Sequence, residues 1–257
     1  MNVMTLLLAD SRFPGGGHAH SGGLEEAAAR GLIRTEDDLP AFLRGRLRTA
    51  GALAATFAAA SAHLAAGGFT DWSAVDAELD ARTPSAAQRA ASRAQGRATA
   101  RAAGAMVAHR GGEHLRHAGG VPQSTGVPPA LPASSGSARA AAVATLLRTI
   151  ARPHHPVILG VLVGAGGGTP ADAALVAAYL SVTGPASASV RLLGLDPLRV
   201  NGILAALADD VAAVAGEAAA TAHLDPAHLP APGSPGLDLL AEEHDRHHRE
   251  EVRLFVS

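Results

Sequence analysis

Residues 35–68 read TEDDLPAFLRGRLRTAGALAATFAAASAHLAAGG, and the class of the fold turns on them. Leu39, Leu43, Leu47, Leu53, Phe57 and Leu64 return at helical intervals, with one longer gap that Ala50 fills. Thr35 and Asp38 stand at capping-box spacing before them, and Gly67-Gly68 stops the pattern. The stretch predicts a long amphipathic helix.

The composition extends that reading to the whole chain. Hydrophobic residues make up 47% of the 257, with alanine the largest share, while aromatics are 3%. A core of that composition comes from helices that approach closely rather than from bulky side chains. Alanine also has the highest helix propensity. The expectation is an all-α fold, a single-domain helical bundle of about eight to ten helices over residues 1–257.

The same punctuation recurs on both sides. Downstream, Thr70 precedes a short helix carrying Trp72, Val75 and Leu79, and Thr83-Pro84 opens a longer one to about Arg110. On the longer helix Arg89, Arg93, Arg97 and Arg101 lie four apart, a basic stripe read as a solvated face or a surface for an acidic partner. Residues 111–136, rich in Gly, Pro, Ser and His, read as a flexible loop. Helix resumes at Ser137, stops at Pro153, and is expected again across Val157–Val163. Thr169-Pro170 and Asp196-Pro197 are two further starts, with Pro185 expected to kink the helix between them. Upstream, Pro14-Gly15-Gly16-Gly17 demands an irregular turn, and helix begins again near Leu24. A polar segment at about 237–257 ends in Arg253-Leu254-Phe255-Val256-Ser257, apolar enough to dock onto something.

Composition also narrows the chemistry. All 21 basic residues are Arg, so lysine-based phosphate binding, Schiff bases and lysine general bases are excluded. No Cys is present, which excludes thiolate nucleophiles, disulfides and Cys-ligated metals. Charge is nearly balanced, with 23 acidic residues, and gives no general reason to expect nucleic acid or an anionic membrane as partner. The N-terminal apolar run lacks a basic flank and does not read as a signal peptide. The apolar stretches read as too short for a membrane span of about 20 residues. These features point to a cytoplasmic protein.

Two patterns invite stronger readings. His244 and His248 are four apart on an expected helix, the spacing of two metal ligands, but Asp245 stands where a zincin would carry its catalytic Glu. They remain weak metal candidates among 13 dispersed histidines. Gly160 to Gly168 lacks the pattern of a dinucleotide loop and reads as the end of a helix.

The string from Leu6 to Glu25, LLLADSRFPGGGHAHSGGLE, resembles the signature of the urease accessory protein UreF family. Ala62-His63, the Trp72 helix, Gly96-Arg97, His155-Pro156-Val157 with Gly160, Ala188-Ser189-Val190-Arg191-Leu192 and the terminal RLFVS follow in the family's order. The chain departs from the pattern after Arg191, where Leu193-Gly194-Leu195-Asp196-Pro197 replaces Pro-Leu-Gly and a Gln-rich stretch. Gly17-His18 replaces the aromatic residue before the family's His-Ser pair.

The resemblance implies an all-α homodimer that is not an enzyme and has no cofactor of its own. It would bridge UreD (also called UreH) and the GTPase UreG, and regulate GTP-dependent nickel insertion into the urease apoprotein, with nickel in transit. His20, Ser21 and Glu25 become candidates for partner contact or nickel passage, although Ser21 as a helix cap and Glu25 as a first-turn acid explain them equally. Arg191 is a further partner-contact candidate, and Arg253, Leu254, Phe255 and Ser257 become a docking segment for UreD. The competing readings are a histidine-based metal-binding protein and a metal-dependent hydrolase using His244 and His248.

Overall fold

The computed structural model of the chain describes residues 2–10, 12–15, 20–117 and 135–254. Among them every regular element is helical. These are α1 (Val3–Ala9), α2 (Leu24–Ala29), α3 (Leu39–Arg46), α4 (Ala52–Ala66), α5 (Ser73–Ala81), α6 (Ala86–His117), α7 (Ser135–Thr149), α8 (His155–Ala165), α9 (Pro170–Leu193), α10 (Pro197–Ala206), α11 (Ala208–Ala220) and α12 (Pro235–Leu254). A π-helical turn, Leu47–Gly51, joins α3 to α4 in one rod, so the described residues hold eleven α-helices where eight to ten helices were expected. The turn falls in the long gap of the leucine pattern.

Local chemistry sets most boundaries. Asp38 accepts from the N–H groups of Arg34 and Thr35 at 2.9 and 3.0 Å, as its capping-box spacing implies. Thr169 and Asp172 cap α9 reciprocally at 3.1 and 3.0 Å, and Asp196 accepts from Leu198 N–H at 2.9 Å to open α10. Leu207, buried at a corner, separates α10 from α11.

Other boundaries differ from expectation. Asp71 rather than Thr70 opens α5, accepting from Ser73 N–H at 2.8 Å. Thr83 donates back to Leu79 at 2.8 Å and closes α5, leaving Ser85 to accept from Gln88 N–H at the head of α6. The expected loop at 111–136 is helical as far as His117, because extending a helix already formed costs far less than nucleating one. Helix α7 begins at Ser135, and residues 118–134 lie outside the described residues. The first two arginines of the basic stripe are tied to the chain itself. Arg89 donates to the carbonyls of Thr83 and Pro84, while Arg93 bridges Asp76 and Asp80.

The core is built around α4, which packs on α8, α9 and α11. Its approach to α8 is as close as the alanine content implied. A Cβ added at Gly160 would lie 2.2 Å from the Ala58 carbonyl oxygen, and one at Gly164 would lie 2.3 Å from that of Ala62. Both glycines therefore lie within α8 as contacts to α4, and only Gly166–Gly168 serve as the helix end. Two stretches, Glu36–Ala66 and Pro170–Leu193, are long and apolar enough to cross a membrane by length and composition, contrary to the sequence estimate. Over half of each apolar window is buried, 56% and 61%, as befits the α4 and α9 regions of the core.

Gly160→Ala should lower stability in urea unfolding by about 1–3 kcal/mol or more, because backbone blocks the added methyl. Gly216→Ala, with open space around a Gly in α11, should be neutral or stabilise by up to about 1 kcal/mol in the same assay.

Candidate functional site

Pro185 lies inside α9 and has no N–H to donate to the carbonyl of Ser181, four residues before it. That carbonyl instead accepts from Arg46 Nε at 2.9 Å, and Arg46 Nη1 donates to the Gly22 carbonyl at 2.7 Å. Gly22 has φ +64°, and a Cβ there would press on the Arg46 guanidinium and the Pro185 ring. The turn of the N-terminal signature is thereby fixed to α3 and α9. Burial lowers the Arg46 pKa to about 10, which leaves it charged at neutral pH.

From that anchor the chain enters α2. Ser21 Oγ accepts from Glu25 N–H at 3.3 Å, and Glu25 and Glu26 occupy the first turn, where the helix dipole favours acids. Glu25 is exposed and Glu26 is buried.

Helix α12 closes the arrangement from above, lying against α2 and α6. Glu242 accepts from Ser85 Oγ at 2.6 Å and Ala87 N–H at 2.9 Å, so a residue of α12 caps the N-terminus of α6. Gln88 donates to Asp238 at 2.9 Å, and Leu237 and Leu240 pack over Gly23. The space enclosed measures about 940 Å³, with His20, Ser21, Glu25, Arg46, His155, His244 and His248 in its walls. Of the residues singled out in the sequence, it therefore gathers His20, Ser21, Glu25, His244 and His248. Arg191 does not line it and sits exposed in the last turn of α9. Arg253 and Leu254 lie in the last turn of α12, while Phe255 and Ser257 fall outside the described residues.

The floor is held by a polar network that local sequence does not announce. His154, fully buried, donates its backbone N–H to Asp76 at 2.8 Å and places its ring nitrogens 3.0 Å from Ser92 Oγ and from Asp80 Oδ1. Arg93 joins both aspartates, at 3.0 and 2.6 Å. This fixes the turn from which His155 enters the cavity. Burial, and secondarily His20, bring His155 down to about 4, while burial lowers His20. Both rings are neutral near pH 7.

His244 and His248 stack with centroids 6.5 Å apart, and His244 Nε2 is 4.0 Å from Glu25. The sequence reading missed Arg46, Glu26 and His247. His247 Nδ1 lies 3.2 Å from Glu26 Oε2. Pro185 was the only signal for Arg46, through the carbonyl it leaves open, and nothing near His247 identifies Glu26 as its partner.

Neutral imidazoles, a guanidinium and a rim of carboxylates give the cavity the chemistry to recognise polar groups, within an all-helical fold. The UreF family profile matches residues 33–208. The chain is 40% identical to urease accessory protein UreF of Mycobacterium sp. (strain JLS), covering 100% of both chains. It is 38% identical to that of Mycolicibacterium vanbaalenii, over 98% of this chain and 97% of the relative. It is 36% identical to that of Mycobacterium tuberculosis H37Rv, over 99% and 98%. The chain belongs to the UreF family of urease accessory proteins, which implies an accessory role in urease maturation rather than catalysis.

The His155 pKa carries a pH dependence of definite sign. The folded value, about 4, lies below the unfolded value, so its stabilising contribution is complete above about pH 6.5 and is lost as pH falls toward 4. Between urea titrations at pH 7.5 and 4.5, the wild type should lose about 2–3 kcal/mol more than His155→Gln. Equal losses would place the ring in water.

Proposed function

We propose that the chain is a scaffold of urease maturation that bridges UreD (UreH) and the GTPase UreG and governs GTP-dependent nickel insertion into the urease apoprotein. The observation that carries this reading is the convergence of His20, Ser21 and Glu25 with α12 at one cavity. A signature loop and a terminal docking helix that share a cavity give two partners a common meeting point. Glu25, exposed at the head of α2, faces UreG or the passage of nickel, and the segment carrying Arg253, Leu254, Phe255 and Ser257 anchors UreD. Apolar anchors beside Arg are the groups that dominate interface energetics. Arg191, exposed at the end of α9, contributes a further contact. Two copies of the chain form the centre of the assembly, and nickel passes through as cargo rather than as a resident cofactor.

Co-expression with the cognate UreD and UreG, followed by size exclusion with light scattering, tests the proposal. A complex assembled around two copies of this chain is expected. Deleting residues 253–257 should abolish UreD co-purification with helical content unchanged, and Glu25→Ala should impair urease activation. Soluble, folded partners that form no complex, or full activation by Glu25→Ala, would count against the scaffold and the Glu25 role respectively.

A further inference from the structure

Helix α12 carries Glu243 and His247 four residues apart, on the side facing α2. From α2 the buried carboxylate of Glu26, 3% exposed, meets them. One ligand atom from each of the three residues lies within 4.8 Å of the others. Two carboxylates and an imidazole at that separation, two from one helix and one from its neighbour, can close on one cation.

The place of that cation is held by Arg30. Its Nε donates to Glu26 Oε1 at 2.8 Å and its Nη2 lies 3.1 Å from Glu243 Oε2. A buried carboxylate requires such a countercharge. Arg30, however, has 45% of its side chain exposed and can turn outward into water, and Arg246 also pairs with Glu243 from the surface. The His247 ring is half exposed, which gives an ion a route in from solvent.

We propose that Glu26, Glu243 and His247 form a binding site for a borderline divalent transition metal, of the Ni²⁺ or Zn²⁺ kind, which displaces Arg30 and ties α12 to α2. The imidazole argues against Mg²⁺ and Ca²⁺, which favour oxygen ligands, and for the metals that accept nitrogen and carboxylate together. Three protein ligands leave at least one coordination position for water or an incoming donor. The site is distinct from the His244–His248 pair suggested by the sequence, whose rings stack on one another instead. It stands independently of the scaffold reading, since the chain alone supplies every ligand.

The test is calorimetric titration of the metal-free full-length chain with Ni²⁺, then with Zn²⁺ and Mg²⁺, without partners. One Ni²⁺ or Zn²⁺ per chain is expected, with Mg²⁺ far weaker. His247→Ala and Glu243→Gln should each weaken binding by about tenfold or more. His244→Ala and His248→Ala should leave it unchanged, and Arg30→Gln, which removes the competing guanidinium, should tighten it. Circular dichroism of each metal-free variant confirms the fold, and Ni²⁺ should slow amide hydrogen exchange in α2 and α12 of the wild type. Absence of stoichiometric binding, binding that survives His247→Ala, or binding lost with His244 or His248 would overturn the assignment. An affinity unchanged or weakened by Arg30→Gln would overturn the displacement. None of these outcomes depends on UreD or UreG, so failure here and failure of the scaffold are separate results.

Discussion

The arrangement around the cavity depends on Arg46. A proline in the middle of α9 leaves the Ser181 carbonyl without its helical donor, and a buried carbonyl without a partner costs about 1–3 kcal/mol. The guanidinium of Arg46 fills that position and with a second N–H holds the Gly22 carbonyl. One side chain thus mends a helix and moors a glycine turn. The mooring sets the direction in which α2 leaves the turn, and with it the wall on which α12 rests.

How much of this could be read from the sequence depends on the range of the interaction. Helix starts at Thr35, Thr169 and Asp196 were legible because their caps reach only two to four residues along the chain. The all-helical class followed from periodicity and alanine content. The head of α6 was misread because Thr83 turns its hydroxyl back to close α5, and the carboxylate that supports the Ser85 cap, Glu242, arrives from 157 residues away. A separation of 221 residues hid Glu26 from His247, and the link from Arg46 to Ser181 spans 135 residues. In the candidate site, His20, Ser21 and Glu25 were visible as a motif, whereas the groups that position them were not. The His244–His248 pair had ligand spacing, but among the described residues the three groups whose ligand atoms come together are Glu26, Glu243 and His247, and spacing alone could not show that.

Two kinds of packing divide the molecule. Between α4 and α8, alanine and glycine bring backbones almost into contact, and dispersion over that dry surface holds the pair. Around α12 the contacts are mostly hydrogen bonds and ion pairs at a partly wet surface, from Glu242 and Asp238 to the head of α6 and from Glu243 and His247 to α2 and its C-cap. Water competes for the more exposed of these pairs, and pairs of that kind contribute little each, about 0–1 kcal/mol.

The glycine contacts at 160 and 164 bear on motion as well as stability. Helices that touch through backbone atoms have no side-chain rotamers between them to rearrange, so α4 and α8 can neither slide nor rotate past one another by small steps. They behave as a single stiff plank running through the protein. Mechanical freedom is left to the elements joined to that plank by longer, polar side chains, and α12, with its carboxylates and imidazoles, is the clearest of these.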